Sequence, residues 1–181
     1  MTELPHHGFR RLVAVSKIGE AGLAQTIEAK PAEFEKIARY LDLPAIQSLK
    51  AKVALTHWRG KGVRVTGVLK ADVTQSCVVT LDPVAAHVEV EFERRFLPED
   101  KLAREEAEAH EIFVDPDGED PAEPLGREID LGEILVEELS LNLDPYPRKE
   151  GVAFHADDAP PRENPFAVLA KLKPKLVKKD V

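Results

Sequence analysis

Cys77 is the only cysteine of the chain, and it lies in an apolar run, QSCVVTLDP, that ends at Asp82-Pro83. A lone thiol can serve as a nucleophile or as a metal ligand, and each use has requirements. A nucleophilic cysteine wants an electropositive, partly open setting and usually a histidine. A zinc site wants several ligands at fixed spacing. The six histidines, His6, His7, His57, His87, His110 and His155, are scattered, with neither an HxxxH nor an HExxH spacing. Cys77 shares the parity of Val73, Val79 and Leu81, which predicts a buried thiol packed as a small hydrophobe. A single cysteine also excludes an intramolecular disulfide.

Carboxylates offer a second chemistry. Residues 97–130 hold thirteen Asp or Glu against three Lys or Arg, a local net of −10 in a chain of net −8, which leaves about +2 for the rest. The stretch DPDGED puts glycine fourth and adds a proline, whereas a calcium loop wants glycine sixth and glutamate twelfth. A solvated acidic loop is expected instead, and a run rich in proline and glycine does not preorganise a carboxylate pair for acid–base work. No P-loop, GxGxxG or GxSxG motif is present. No catalytic residue, metal or cofactor is expected, and the chain reads as a non-enzyme.

A third group is basic. Lys50, Lys52, Arg59, Lys61, Arg64 and Lys70 gather in sequence around one hairpin, beside Trp58, the only tryptophan. Lys50, Lys52 and Trp58 share one parity, and Arg64 and Lys70 share the outward parity of the next strand. Basic residues interleaved with an exposed aromatic on a sheet face suit RNA contact; they suit an ordinary solvated sheet face equally well. A fourth group lies near the C-terminus, where Phe166, Leu169 and Leu172 sit at helical spacing among Lys171, Lys173 and Lys175. That pattern predicts a segment that docks through its apolar side, either on a partner to which it presents lysines or on the protein's own core.

The elements that must position these groups follow from periodicity. Residues 9–18 and 23–29 read as strands. Pro31 opens a helix whose apolar face is Phe34, Ile37, Ala38 and Leu41, and Pro44 is expected to end it. From Leu49 the period becomes two. Residues 63–81 keep one parity throughout, which predicts a single long, coiled strand. Ala86, Val88, Val90, Phe92 and Phe96 then face inward on the next strand. Asp130 and Glu133 start a helix at 131–142 with Leu131, Ile134, Leu135 and Leu139 as its buried stripe. The fold class expected is α+β: an antiparallel β-meander with a long coiled central strand, packed with two main helices. Residues 1–150 form the domain, 97–128 are an acidic, partly flexible insert with a short helix in REEAEAHE, and 151–181 are an extended, irregular basic tail.

Composition sets outer limits. No run approaches eighteen apolar residues, so no membrane span is expected, and MTELPHHGFRR lacks the apolar core of a signal peptide. The cytoplasm is the expected location. An estimated pI of 5.3 has the wrong sign for a generic nucleic-acid binder, and DNA is not an expected partner.

The order of pieces VTGVLKADVTQSCVVTLDPV, FERRFLPE, an acidic stretch, IDLGEILVEELSLNLDPYPR and ENPFAVLAKLK resembles the YceD family of large-ribosomal-RNA accumulation proteins. Many members of that family have a second cysteine at the position of Thr80, so the departure here weakens a metal or redox role. The resemblance implies a bacterial or plastid protein that supports accumulation or processing of large-subunit (23S) ribosomal RNA, and it brings no catalytic residue. The partners it implies are large-subunit ribosomal RNA or a pre-ribosomal particle. An alternative is an acidic escort for a basic ribosomal protein, with the acidic insert as its working part.

Overall fold

The computed structural model describes residues 7–102 and 122–153. The chain divides into two units, Met1–Glu150 and Gly151–Val181; the elements below all belong to the first. A short strand β1 (Leu12–Ala14) runs into a 3-10 turn at Val15–Lys17. Strand β2 (Leu23–Glu28), helix α1 (Pro31–Tyr40) and three long strands follow: β3 (Ala45–Trp58), β4 (Gly62–Ser76) and β5 (Pro83–Leu97). After the undescribed residues come β6 (Glu123–Pro124), β7 (Glu128–Asp130) and helix α2 (Leu131–Leu141).

Strands β2 to β5 each run antiparallel to the next, and β6 adds in parallel to the end of β5. The sheet is therefore mixed. Alternation sends Leu49, Val53 and Leu55 of β3 and Val63, Val65, Leu69 and Val73 of β4 into the core. Helix α1 packs on β3, and α2 packs on β1, β4 and β5. Each leucine fully buried in this way contributes about 1.5–3 kcal/mol. Two glycines permit the closest approaches. The Phe92 ring comes within 2.6 Å of where a Gly67 Cβ would stand, and the Phe9 carbonyl oxygen within 2.0 Å of a Gly132 Cβ. Gly132 thus lets α2 lie against the N-terminal segment.

The first strand is shorter than its apolar run, spanning Leu12–Ala14 rather than 9–18. Its ladder partner β7 has only three residues, and the Val15 N–H is already taken by the Arg127 carbonyl at 3.0 Å. Asp130 fixes this corner with one oxygen, accepting from Arg11 N at 2.8 Å and, as the α2 cap, from Gly132 N at 3.0 Å. Arg11 in turn bonds both Glu33 oxygens, at 3.0 and 2.8 Å, and ties β1 to α1.

Strand β3 begins at Ala45, four residues before the alternation becomes regular, because a bulge between Ile46 and Ser48 resets the register. Strand β4 ends at Ser76, not at 81. Ser76↔Pro83 is the last ladder pair, and the chain then closes on itself through Leu81 N–H to Cys77 O at 2.9 Å and Cys77 N–H to Asp82 O at 2.8 Å. Parity no longer sets the face beyond that point. Leu81, expected inside, has φ 63° and is 78% exposed. The long strand β4 is the middle strand of the sheet, and β3 and β5 match it in length. The helix expected in REEAEAHE, most of the acidic insert and the C-terminal tail lie outside the described residues.

Candidate nucleic-acid interface

The turn after β3 is sharp because Arg59 and Gly60 both adopt left-handed backbone, with φ 44° and 81°. That turn leaves Trp58, Arg59, Lys61 and Arg64 at one tip of the sheet. Register decides what joins them. Arg64 on β4 lies directly opposite Arg95 on β5, so both guanidiniums share the outer face of that tip. Arg59 stacks on the Trp58 ring with its guanidinium carbon 4.5 Å from the centroid, and Arg95 approaches the same ring at 5.7 Å. Lys101 donates from Nζ to the Arg59 carbonyl at 2.7 Å. Two arginines thus lie over one indole, and Lys61, Arg64 and Lys101 belong to the same tip.

The carboxylate that meets this group is Glu93, 2.7 Å from Arg95 and 3.5 Å from Arg64. The Arg64 Nε is buried and, despite that proximity, has no hydrogen-bond partner among the described residues. A desolvated N–H without an acceptor is costly and is seldom left so. Trp58, expected to be an exposed aromatic, is half-buried, and guanidiniums lie over its ring. Its part is to hold two arginines in place.

The remaining basic residues of the sheet sit elsewhere. Lys50 and Lys70 face each other across β3 and β4, six residues along β4 from Arg64, or about 20 Å at the usual rise of a strand. Glutamates flank them on the outer strands, with Lys50 3.7 Å from Glu28 and Lys70 2.7 Å from Glu89. The Lys70 ammonium holds the Glu89 carboxyl below its ordinary range. Lys52 lies between the two groups, exposed, beside a shallow depression of about 840 Å³ that crosses the sheet over Ala54, Thr66, Gly67 and Val68. The seven basic and aromatic residues of the hairpin therefore divide into a cationic tip, a separate charge-balanced row of Lys50 and Lys70, and Lys52 between them. Phe166, Lys171, Lys173 and Lys175 lie outside the described residues.

Cys77 sits at the opposite end of β4 and is fully buried. Its surroundings are more polar than those of a packed hydrophobe. The Lys149 backbone N–H points to Sγ at 3.5 Å. The Thr80 hydroxyl and the backbone N–H groups of Thr80 and Val79 also face the sulfur, and together they pull the thiol down to about 6 from an ordinary 9.0, the Thr80 side chain most of all. No set of three or more His, Cys, Asp or Glu among the described residues is placed to hold a metal.

A family model described as large ribosomal RNA subunit accumulation protein YceD matches residues 65–173. The chain belongs to the YceD family. No curated protein and no solved structure matches it. YceD membership implies a role in the accumulation of large-subunit ribosomal RNA. The matched YceD region begins just after the cationic tip, so it takes in Lys70, Cys77 and Arg95 but leaves out Trp58, Arg59, Lys61 and Arg64. No helix among the described residues is long and apolar enough to cross a membrane.

Two tip residues escape a reading of the sequence. Arg95 lies more than thirty residues from Trp58, and only the β4–β5 register brings it there. Lys101 falls in the acidic stretch, where its charge looks outnumbered. A signal for Arg95 exists in FERRF, where alternation puts one of two adjacent arginines on each face. Arg94 takes the inner face and is clamped by Glu123, Glu137 and Glu138 at 2.6, 2.8 and 3.2 Å.

Proposed function

We propose that this chain is a non-enzymatic, cytoplasmic ribosome-biogenesis factor that supports accumulation or processing of large-subunit (23S) ribosomal RNA by binding that RNA, or a pre-ribosomal particle, through the tip of the β3–β4 hairpin. The observation that carries the reading is the hairpin tip where Arg59 and Arg95 lie over Trp58 and Lys61, Arg64 and Lys101 join them, with the Arg64 Nε buried and without a hydrogen-bond partner among the described residues. Guanidiniums held on an aromatic face are preorganised donors for phosphate oxygens. Lys52 and, from the tail, Lys171, Lys173 and Lys175 would extend the same electrostatic contact, with Phe166 as an apolar anchor. Lys50 and Lys70, each beside a glutamate, would add little. The alternative of an escort for a basic ribosomal protein through the acidic insert has its working part outside the described residues.

Binding of the full chain to a labelled fragment of 23S ribosomal RNA, followed by anisotropy across a salt series, tests the reading. Wild-type affinity should fall steeply with salt. Replacing Arg59, Lys61 and Arg64 by alanine should weaken binding and flatten the slope by nearly one unit per lost phosphate contact. An unchanged affinity and slope in that triple variant, with its fold intact, would remove the hairpin tip from the mechanism.

A further inference from the structure

The sheet has a long edge on the β5 side, and that edge uses none of the cations at the tip. Strand β6 pairs only with Phe96 and Leu97, and no described residue pairs with this side of β5 from Pro83 to Glu93. The direction of its backbone groups follows from one hydrogen bond. Leu125 N–H donates to the Leu97 carbonyl at 2.7 Å, so that carbonyl points away from β4. The β4–β5 register runs without a shift from Val63↔Phe96 to Ser76↔Pro83. Alternation therefore turns the N–H and C=O groups of Glu93, Glu91, Glu89 and His87 to the same open edge.

Those residues also set the charge beside it. Glu89, Glu91 and Glu93 stand in a row on the outer face, exposed to solvent. On the inner face Ala86 and Val90 remain only half-buried at the margin of the core. Glu89 and Glu93 lean toward Lys70, Arg64 and Arg95. Glu91, opposite Val68, makes no ion pair with any described residue. A second copy of this chain pairing edge to edge would set carboxylate rows against each other, which is destabilising. A strand with Lys or Arg opposite the glutamates and apolar residues between them meets both faces at once.

We propose that the open edge of β5 binds, by strand addition, an extended basic segment of another protein in which Lys or Arg alternates with apolar residues. Main-chain hydrogen bonds along 87–93 fix the register, Glu91 receives the central cation, and the apolar residues cover Ala86 and Val90. This inference goes beyond the RNA contact at the hairpin tip and does not depend on it.

The test uses the full chain and a labelled nine-residue peptide of alternating lysine and valine. Controls are a peptide of the same composition with its lysines and valines in blocks, and the alternating peptide N-methylated at alternate backbone nitrogens. The alternating peptide should bind in a salt-sensitive way, and the block and N-methylated peptides should bind roughly tenfold or more weakly. Glu91→Lys should cost at least about tenfold. Because Glu91 is exposed, its thermal melt should match the wild type. Glu91→Pro, which removes the edge-facing N–H together with the carboxylate, should weaken binding at least as much as Glu91→Lys does at high salt, where charge is screened. Equal binding of alternating and block peptides, or unchanged affinity in Glu91→Lys, would overturn the proposal in favour of diffuse charge attraction. A dimer in sedimentation that Glu91→Pro abolishes would overturn it in favour of a second copy. Loss of ribosomal RNA binding instead of peptide binding in Glu91→Lys would overturn it in favour of RNA.

Discussion

The two ends of β4 make opposite use of charge. At Gly62 the chain turns through exposed residues, and Arg59 and Lys61 face solvent beside a half-buried tryptophan. At Ser76 the turn is covered by a second segment. Pro147 O accepts the Val78 N–H at 2.9 Å, Asp144 O accepts from Gln75 Nε2 at 2.8 Å, and Lys149 reaches both Cys77 Sγ and Asp82 Oδ2. The second end ties most of its polar groups to that segment, although the buried Gln75 Oε1 has no hydrogen-bond partner among the described residues. The first gathers several cations at one exposed turn, and a cation at the surface is one a phosphate can reach. Fold and contact are thus divided between the ends of one strand.

The largest expected effect tests that division directly. Joint reversal of Arg59 and Lys61 to glutamate should lower affinity for a 23S fragment by about a hundredfold near 0.1 M salt. Lys149→Glu at the other end should leave it unchanged. Equal losses would mean that general charge, and not the tip, attracts the RNA.

Stability should show the reverse ranking. Gln75 is 6% exposed, and its side-chain amide supplies one of the hydrogen bonds that tie the Ser76 end to the segment after α2. Gln75→Ala should cost about 2 kcal/mol, from a cavity and an orphaned Asp144 carbonyl. Trp58→Ala, at the half-exposed tip, should cost about 1 kcal/mol. Urea denaturation of the two variants measures the difference, and a larger loss at Trp58 would invert the comparison.

The pH dependence sharpens it further. The folded thiol of Cys77 titrates near 6 against an ordinary 9.0, so folding favours the thiolate. The stability this adds is fully present above pH 9, and it is lost as pH falls through about 6. The melting temperature of the wild type should therefore rise between pH 6 and 9 relative to Cys77→Ala. Thr80→Val should move the midpoint upward by removing the strongest donor to the sulfur, a shift that thiolate absorbance can follow. Two melting curves with the same pH slope would return Cys77 to a purely packing role. The smallest effect belongs to the exposed pair of Lys149 and Asp82, 2.9 Å apart, where Lys149→Ala should shift the melting temperature by only ~1 °C.

Local pattern alone fixed much of this protein. The strand alternation of 49–76 and 84–96 and the stripes of α1 and α2 are legible because side-chain direction follows backbone period. Asp130 before an apolar helix marks its own cap, and the QSC and NPFA motifs point to the YceD family. What the sequence could not fix depends on partners far along the chain. The three-residue length of β1 is imposed by β7, and the end of β4 by hydrogen bonds to residues 82 and 147. The polar setting of Cys77 needs Lys149, 72 residues away. The cationic tip needs Arg95 opposite Arg64, and the charge-balanced row needs Glu28 and Glu89 beside two lysines. Parity assigns a residue to a face, but only tertiary register assigns it a neighbour, and electrostatic interaction weakens with the distance to that neighbour.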